Sequence, residues 1–215
     1  MAREKPHPTP RKTTRRASGR TSGQTSSQTS RKSREAWIEA AVALLGERGV
    51  EAIRVEPLAR RLGVTKGSFY WHFTDRAELL TAVLEQWSKA GTDAFIEQVE
   101  AEGGDPRTRL RRLWALTSKG ALQAEMAIRD WARRDPEVDA QVHDVDTRRL
   151  AYLRSLFGAL DQPRDKPRDK PRAEVEARCL LMYSLLFGNT FIQGSHGRLG
   201  RNRVLEEALA LLVDT

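Results

Sequence analysis

Thr65, Lys66, Gly67, Ser68, Tyr70, Trp71 and His72 fall within eight consecutive residues, inside the run Gly-Val-Thr-Lys-Gly-Ser-Phe-Tyr-Trp-His-Phe. Hydroxyls, an ammonium group and aromatic edges on one short helix are the groups that read a DNA major groove, where base edges present donors, acceptors and methyl groups. Gly67 removes a side chain near the start of that helix, so the backbone can approach a duplex closely. A helix N-terminus also carries free N–H groups and partial positive charge, which suit a phosphate. Phe69 and Phe73 are four apart and form the inner face. Trp71 and His72 admit a second reading, packing against a neighbouring helix. Arg60 and Arg61 fit either a solvated face or a phosphate contact.

Such a helix needs a partner that holds it. The residues just before it, Val55 to Leu62, form a second short helix with Pro57 in its first turn, where a missing N–H does little harm. Leu58 and Leu62 give it an apolar face, Ala59 is small where two helices must approach, and Gly63 supplies the turn. The pair has the grammar of a helix-turn-helix. Before it, Trp37, Ile38, Ala41, Leu44 and Leu45 repeat at three and four residues, predicting a helix over about 34–47 with Ser33 as cap and Gly49 as stop. After it, Asp75 and Glu78 make a capping-box pair that opens a long helix over about 76–101, with Gly91 placed to bend it.

Gly103-Gly104-Asp105-Pro106 breaks the chain. Further amphipathic segments are predicted at about 106–118, 121–134, 136–160, 173–193 and 201–213. No alternating strand pattern emerges. The fold class is therefore all-α with about nine helices. The expected division is a disordered basic tail over 1–32, a three-helix helix-turn-helix DNA-binding domain over 33–80, and a second helical domain over 81–215. The segment DQPRDKPRDKPR, with Pro163, Pro167 and Pro171 at every fourth position, forbids a helix and predicts an extended loop over 161–172, read first as a neutral surface insertion.

Residues 34–80 resemble the DNA-binding domain of TetR-type (tetracycline-repressor-like) transcriptional regulators. The resemblance rests on LARRLGVTKGSFYWHFTDRAELL, preceded by LLGERGVEAIRV. It implies that Thr65, Lys66, Ser68, Tyr70, Trp71 and His72 face DNA, and that Tyr70 reaches a backbone phosphate. It places Arg54 or Val55 at the start of the helix that crosses the backbone. It puts Arg76 where the family often has a phosphate-binding lysine, a role an arginine can also fill, and bidentately. It further implies a ligand-responsive regulator, most simply a repressor released by a small-molecule effector. As a dimer, such a protein would present two recognition helices about 35 Å apart to a near-palindromic operator.

Charge adds a qualification. The chain of 215 residues has a net charge of +8, yet residues 1–34 alone hold ten basic side chains and one acidic, while the other 181 hold 27 basic and 28 acidic. Residues 35–76 hold six of each and are neutral. Phosphate neutralisation supplies most nonspecific DNA affinity, so a neutral reader gains from being doubled in a dimer and from a basic arm. A solvated tail with no specific role is the alternative for residues 1–34. A nonspecific nucleoid-type binder or an activator also uses these features, and the specificity ratio separates them from a repressor.

In the second half, the candidate ligand-binding residues are the apolar and aromatic side chains Trp87, Trp114, Met126, Trp131, Tyr152, Tyr183 and Phe187, with His143 and Asp146 three residues apart as a polar anchor or a satisfied surface pair. Ala173, Ala177, Leu181, Ser184 and Gly188 form a stripe of small residues. Together with Leu205, Ala208, Leu209 and Leu212 it suits either a four-helix dimer seam or closure of the monomer's own core. One cysteine, Cys179, excludes an internal disulfide and a cysteine-based zinc site. The four histidines show no ligand spacing, so no metal and no cofactor is expected. No run of 18 apolar residues and no secretory apolar segment is present. No catalytic motif appears: the expectation is a cytoplasmic, non-enzymatic, homodimeric regulator that binds double-stranded DNA and a small molecule and does not engage a membrane.

Overall fold

The computed structural model describes residues 32–118, 122–160 and 172–214. Apart from Lys32 and Arg172, the expected basic tail and the proline-repeat loop lie outside the described residues. Ten α-helices are found among the described residues: α1 (Arg34–Arg48), α2 (Val55–Leu62), α3 (Lys66–Phe69), α4 (Arg76–Ser88), α5 (Ala94–Glu102), α6 (Pro106–Ser118), α7 (Leu122–Ala132), α8 (Pro136–Ala159), α9 (Arg172–Gly188) and α10 (Arg201–Val213). A π-helical turn, Lys89–Asp93, joins α4 to α5 without a break. Counted as one rod, these give the nine helices the sequence pattern predicts.

The helix ends follow from local chemistry. Ser33 Oγ accepts from the Ala36 N–H and starts α1. Gly63, at φ +69°, takes the left-handed conformation that ends α2, and its N–H returns to the carbonyl of Arg60. Asp75 Oδ1 accepts from the Glu78 N–H at 2.9 Å, while Glu78 Oε2 accepts from the Thr74 N–H at 2.7 Å, so the two residues satisfy free donors at the start of α4 reciprocally. Asp135 caps α8, with Pro136 in its first turn.

Two hydrophobic cores result. In the first, Trp37 and Leu45 of α1, Ile53, Leu58 of α2, Phe69 of α3 and Val83 of α4 are fully buried. This core continues into Ile128, Trp131 and Ala132 of α7 and Val138, Val142 and Val145 of α8. The second gathers Leu110 and Trp114 of α6, Leu153, Leu156 and Phe157 of α8, Cys179 and Met182 of α9, and Leu209 and Val213 of α10. Helix α8, at 24 residues, is about 36 Å long, so one half serves each core. Gly46 lets α1 lie close on α7: a Cβ there would come within 3.1 Å of the Ala124 backbone nitrogen.

Two helices are shorter than periodicity predicts. Helix α3 ends at Phe69, and residues 70–72 form a turn in which the N–H groups of His72 and Phe73 both return to the Phe69 carbonyl. The stacking of Phe69 on Phe73, with ring centroids 5.2 Å apart, favours this tight curl over a continuing helix. Helix α9 stops at Gly188, and Thr190 Oγ donates back to the Phe187 carbonyl.

Candidate DNA-reading face and cavity

Phe69 anchors the candidate reading helix. Its ring meets Trp37 edge-on at 5.3 Å and stacks on Phe73. Burying three such aromatics contributes on the order of 1.5–3 kcal/mol each, so the pose of α3 is set by α1 and by the following turn that carries Phe73 rather than by its own single turn. Outward from this anchor, Thr65, Lys66, Gly67, Tyr70 and Trp71 are exposed, Trp71 at 72%. An indole this accessible on a folded domain is poorly explained by packing and well suited to a contact surface. Lys66 Nζ reaches Glu56 of α2 at 2.8 Å, which raises the lysine's pKa and lowers that of the glutamate. Arg54 is exposed at the position just before α2.

Three residues predicted on this face are placed differently. Ser68 is half-buried and its hydroxyl is enclosed. His72 is half-buried with Nε2 turned inward, near enough to the start of α1 to interact with the Glu35 carboxylate. Both lie on the side of the α3 turn that leans on the first core. Arg76 is tied inward as well: Nε donates to the Ile53 carbonyl at 2.6 Å and Nη2 to the Val50 carbonyl at 2.8 Å. Its first role is to hold the α1–α2 connection against α4.

The second functional feature is a cavity of about 470 Å³ between α1, α4, the π turn, α5, α6, α7, α8 and α9. Of the predicted ligand-binding residues, Trp114, Tyr152, Tyr183 and Phe187 line it, as does Trp87. Met126, Trp131 and His143 do not. The Met126 sulfur instead lies 3.5 Å from Thr190 Oγ. Trp131 is packed in the first core and its indole donates to Asp135. His143 is exposed on the outer face of α8, and Asp146 turns away from it toward Arg129.

One end of the cavity is closed by a polar cluster that periodicity does not reveal, because its members come from four separated segments. Glu125 of α7, 7% exposed, accepts from Trp87 Nε1 at 2.6 Å, from Arg129 Nε at 2.9 Å, and from Arg149 Nη1 and Nη2 at 3.1 and 3.2 Å. Arg149 of α8 also donates to Thr92 Oγ, to the Gly91 carbonyl and to the Tyr183 hydroxyl. Arg129 clasps Asp146 bidentately, at 2.9 and 2.6 Å, and Tyr183 donates to the same carboxylate. Burial alone would raise the Asp146 pKa, but Arg129 and Tyr183 hold it below the usual carboxylate range. Burial pushes the Tyr183 phenol up to about 12, so it remains a donor. Two arginines and two carboxylates thus neutralise one another, and the π turn is stitched to α8 through Gly91 and Thr92.

Residues 38–83 match the family described as bacterial regulatory proteins, tetR family. Over this stretch the chain is similar to that family. It is 37% identical over 83 residues to the HTH-type transcriptional regulator TtgR of Pseudomonas putida, a match covering 39% of this chain and 40% of that protein. The chain thus matches about two fifths of the length of such curated relatives. Among solved structures, FadR of Bacillus subtilis in complex with stearoyl-CoA superposes with a TM-score of 0.60 at 16% identity, covering 84% of this chain and 98% of the other. AibR in complex with isovaleryl coenzyme A and operator DNA gives 0.58 at 18% identity, with 84% and 97% covered. These two share the all-helical fold with this chain. Among the described residues, no helix is long and apolar enough to cross a membrane.

Proposed function

We propose that this protein is a homodimeric, sequence-specific transcriptional repressor whose grip on a palindromic operator is released by a small molecule bound in the cavity. In this reading residues 33–80 contact DNA and residues 81–215 bind the effector and pair two copies. One observation carries it: the helices that hold α3 also wall the cavity. Glu39, Val42, Ala43 and Gly46 of α1 and Gln86 and Trp87 of α4 line the cavity, while Trp37 of α1 packs against Phe69 of α3, with Ala41 and Leu45 in the same core. A molecule that alters the spacing of α1, α4 and α8 therefore moves the reading helix with no long relay, which is the differential contact that a population shift requires.

Pairing is supported by Leu180 and Leu181, which stand exposed on α9 beside exposed Ala173, Ala177 and Ser184. The α10 stripe is used within the monomer instead, with Leu209 buried and Leu205 and Leu212 packed around it. The role is one of binding, not catalysis, and it places the protein in the cytoplasm with the DNA. Selection of bound sequences from random duplexes by the full-length protein tests the reading. The expected result is a near-palindrome bound by two copies, and recovery of no palindrome would sink the dimeric repressor.

A further inference from the structure

We infer that the effector is an uncharged, largely apolar molecule, in contrast to the acyl-coenzyme A ligands held by the structural neighbours FadR and AibR. The inference rests on the cavity being the effector site. Three of its lining residues bear formal charge: Glu39, Glu125 and Arg149. The two buried ones have no bonding capacity to offer. A guanidinium has five N–H donors, and those of Arg149 are met by Thr92, Gly91, Tyr183 and both oxygens of Glu125. A carboxylate has about four lone-pair sites, and Glu125 accepts four N–H groups from Trp87, Arg129 and Arg149.

A ligand charge brought beside this cluster must therefore either break a satisfied buried pair or stay unpaired, and both are costly. The third charged residue, Glu39, is exposed at the α1 rim and repels an anion. Most of the rest of the wall is apolar or aromatic, with Phe95, Ile96, Trp114, Leu153, Leu186 and Phe187 among its members. Its exposed amides, Gln86 and Gln123, hydrogen-bond a neutral carbonyl or hydroxyl without needing a countercharge. The volume of about 470 Å³ falls within the roughly 300–1,000 Å³ that small-molecule sites span.

Matched probes that share one ring skeleton and differ in charge provide the test. The neutral probe is N-phenyl-1-naphthylamine, the anion is its ring-sulfonated counterpart 8-anilinonaphthalene-1-sulfonate, and the cation is a trimethylammonium derivative of the same skeleton. Binding to the full-length protein is read by fluorescence, counting only signal lost in Ile96→Trp, which fills the cavity. The neutral probe is expected to bind, and each charged probe roughly a hundredfold more weakly. In Glu125→Gln, which releases donors of Arg149, the anion is expected to gain at least about tenfold relative to the neutral probe. Equal binding of either charged probe to the unmodified protein overturns the inference and leaves the cavity as the effector site. Binding of none of the three overturns the cavity reading itself, and the inference with it.

Discussion

Arg76 holds the carbonyl of Ile53 at 2.6 Å, and through that bond the first residue of α4 fixes the entry into α2. A second donor goes to Val50. A phosphate-contacting residue needs only charge, whereas this one must serve two carbonyls at fixed angles. Arg76→Lys keeps the charge and loses the fork. It is expected to lower stability by about 1–2 kcal/mol, nearly as much as Arg76→Ala, in urea denaturation. If lysine instead restores both stability and DNA affinity, the residue acts on phosphate.

In the proposed reading, Glu56 and a DNA phosphate compete for Lys66. The Lys66–Glu56 pair is solvent-exposed, so it adds little to stability. Glu56→Gln should leave the melting temperature unchanged and raise affinity for any duplex. Lys66→Ala should reduce the slope of log K against log salt by about one. Trp71→Ala should also leave stability intact, because the ring is exposed, and reduce affinity for the selected operator by about 1–3 kcal/mol. A melting temperature that falls with Trp71→Ala would return that ring to the packing role.

At Gly46 any larger side chain meets α7, so Gly46→Leu must push α1 from it. Overpacking of this kind costs about 1–3 kcal/mol. A drop in the denaturation midpoint together with weakened operator binding is expected, since α1 carries the floor beneath α3.

The Arg129–Asp146 pair sets an acid limb. Because the carboxyl pKa is lowered on folding, its stabilisation is complete above the ordinary aspartate value, near pH 4, and fades as pH falls through the lower folded value. Asp146→Asn should therefore cost about 1–3 kcal/mol at neutral pH, and the gap to the unmodified protein should narrow in acid. A gap that is constant with pH would show that the charge is not the stabilising element.

Much of the fold was legible because it is written in local signals. Ser33, Gly63, Asp75 and Glu78 each act on residues within one turn, and the apolar spacing of α1, α4 and α8 repeats cleanly. The Trp37–Phe69–Phe73 cluster was half legible: Phe69 and Phe73 announce themselves by spacing, but Trp37 meets them only through tertiary packing. His72 takes the packing alternative that its residue type leaves open, because the chain curls after Phe69 and turns it inward, whereas nothing in the spacing marks the half-burial of Ser68 within α3. The polar end of the cavity was illegible. Glu125 and Arg149 sit in ordinary amphipathic segments 24 residues apart, and neither carries a mark that distinguishes it from a surface charge. The π turn follows the same logic, since Gly91 signals a bend and not its kind.

Helix α1 has two inner faces, one beneath the reading helix and one on the cavity. The cavity can therefore be sorted by what a change would disturb. In the proposed reading, substitutions at Val42, Ala43 or Gly46 alter ligand fit and DNA geometry at once. Thr117, Leu153, Leu186 and Phe187 line the same space without belonging to the first core. If the proposed reading holds, anyone retuning this protein as a sensor for a new compound would find in those four the dial for ligand choice, and in α1 the dial for how strongly the signal is heard.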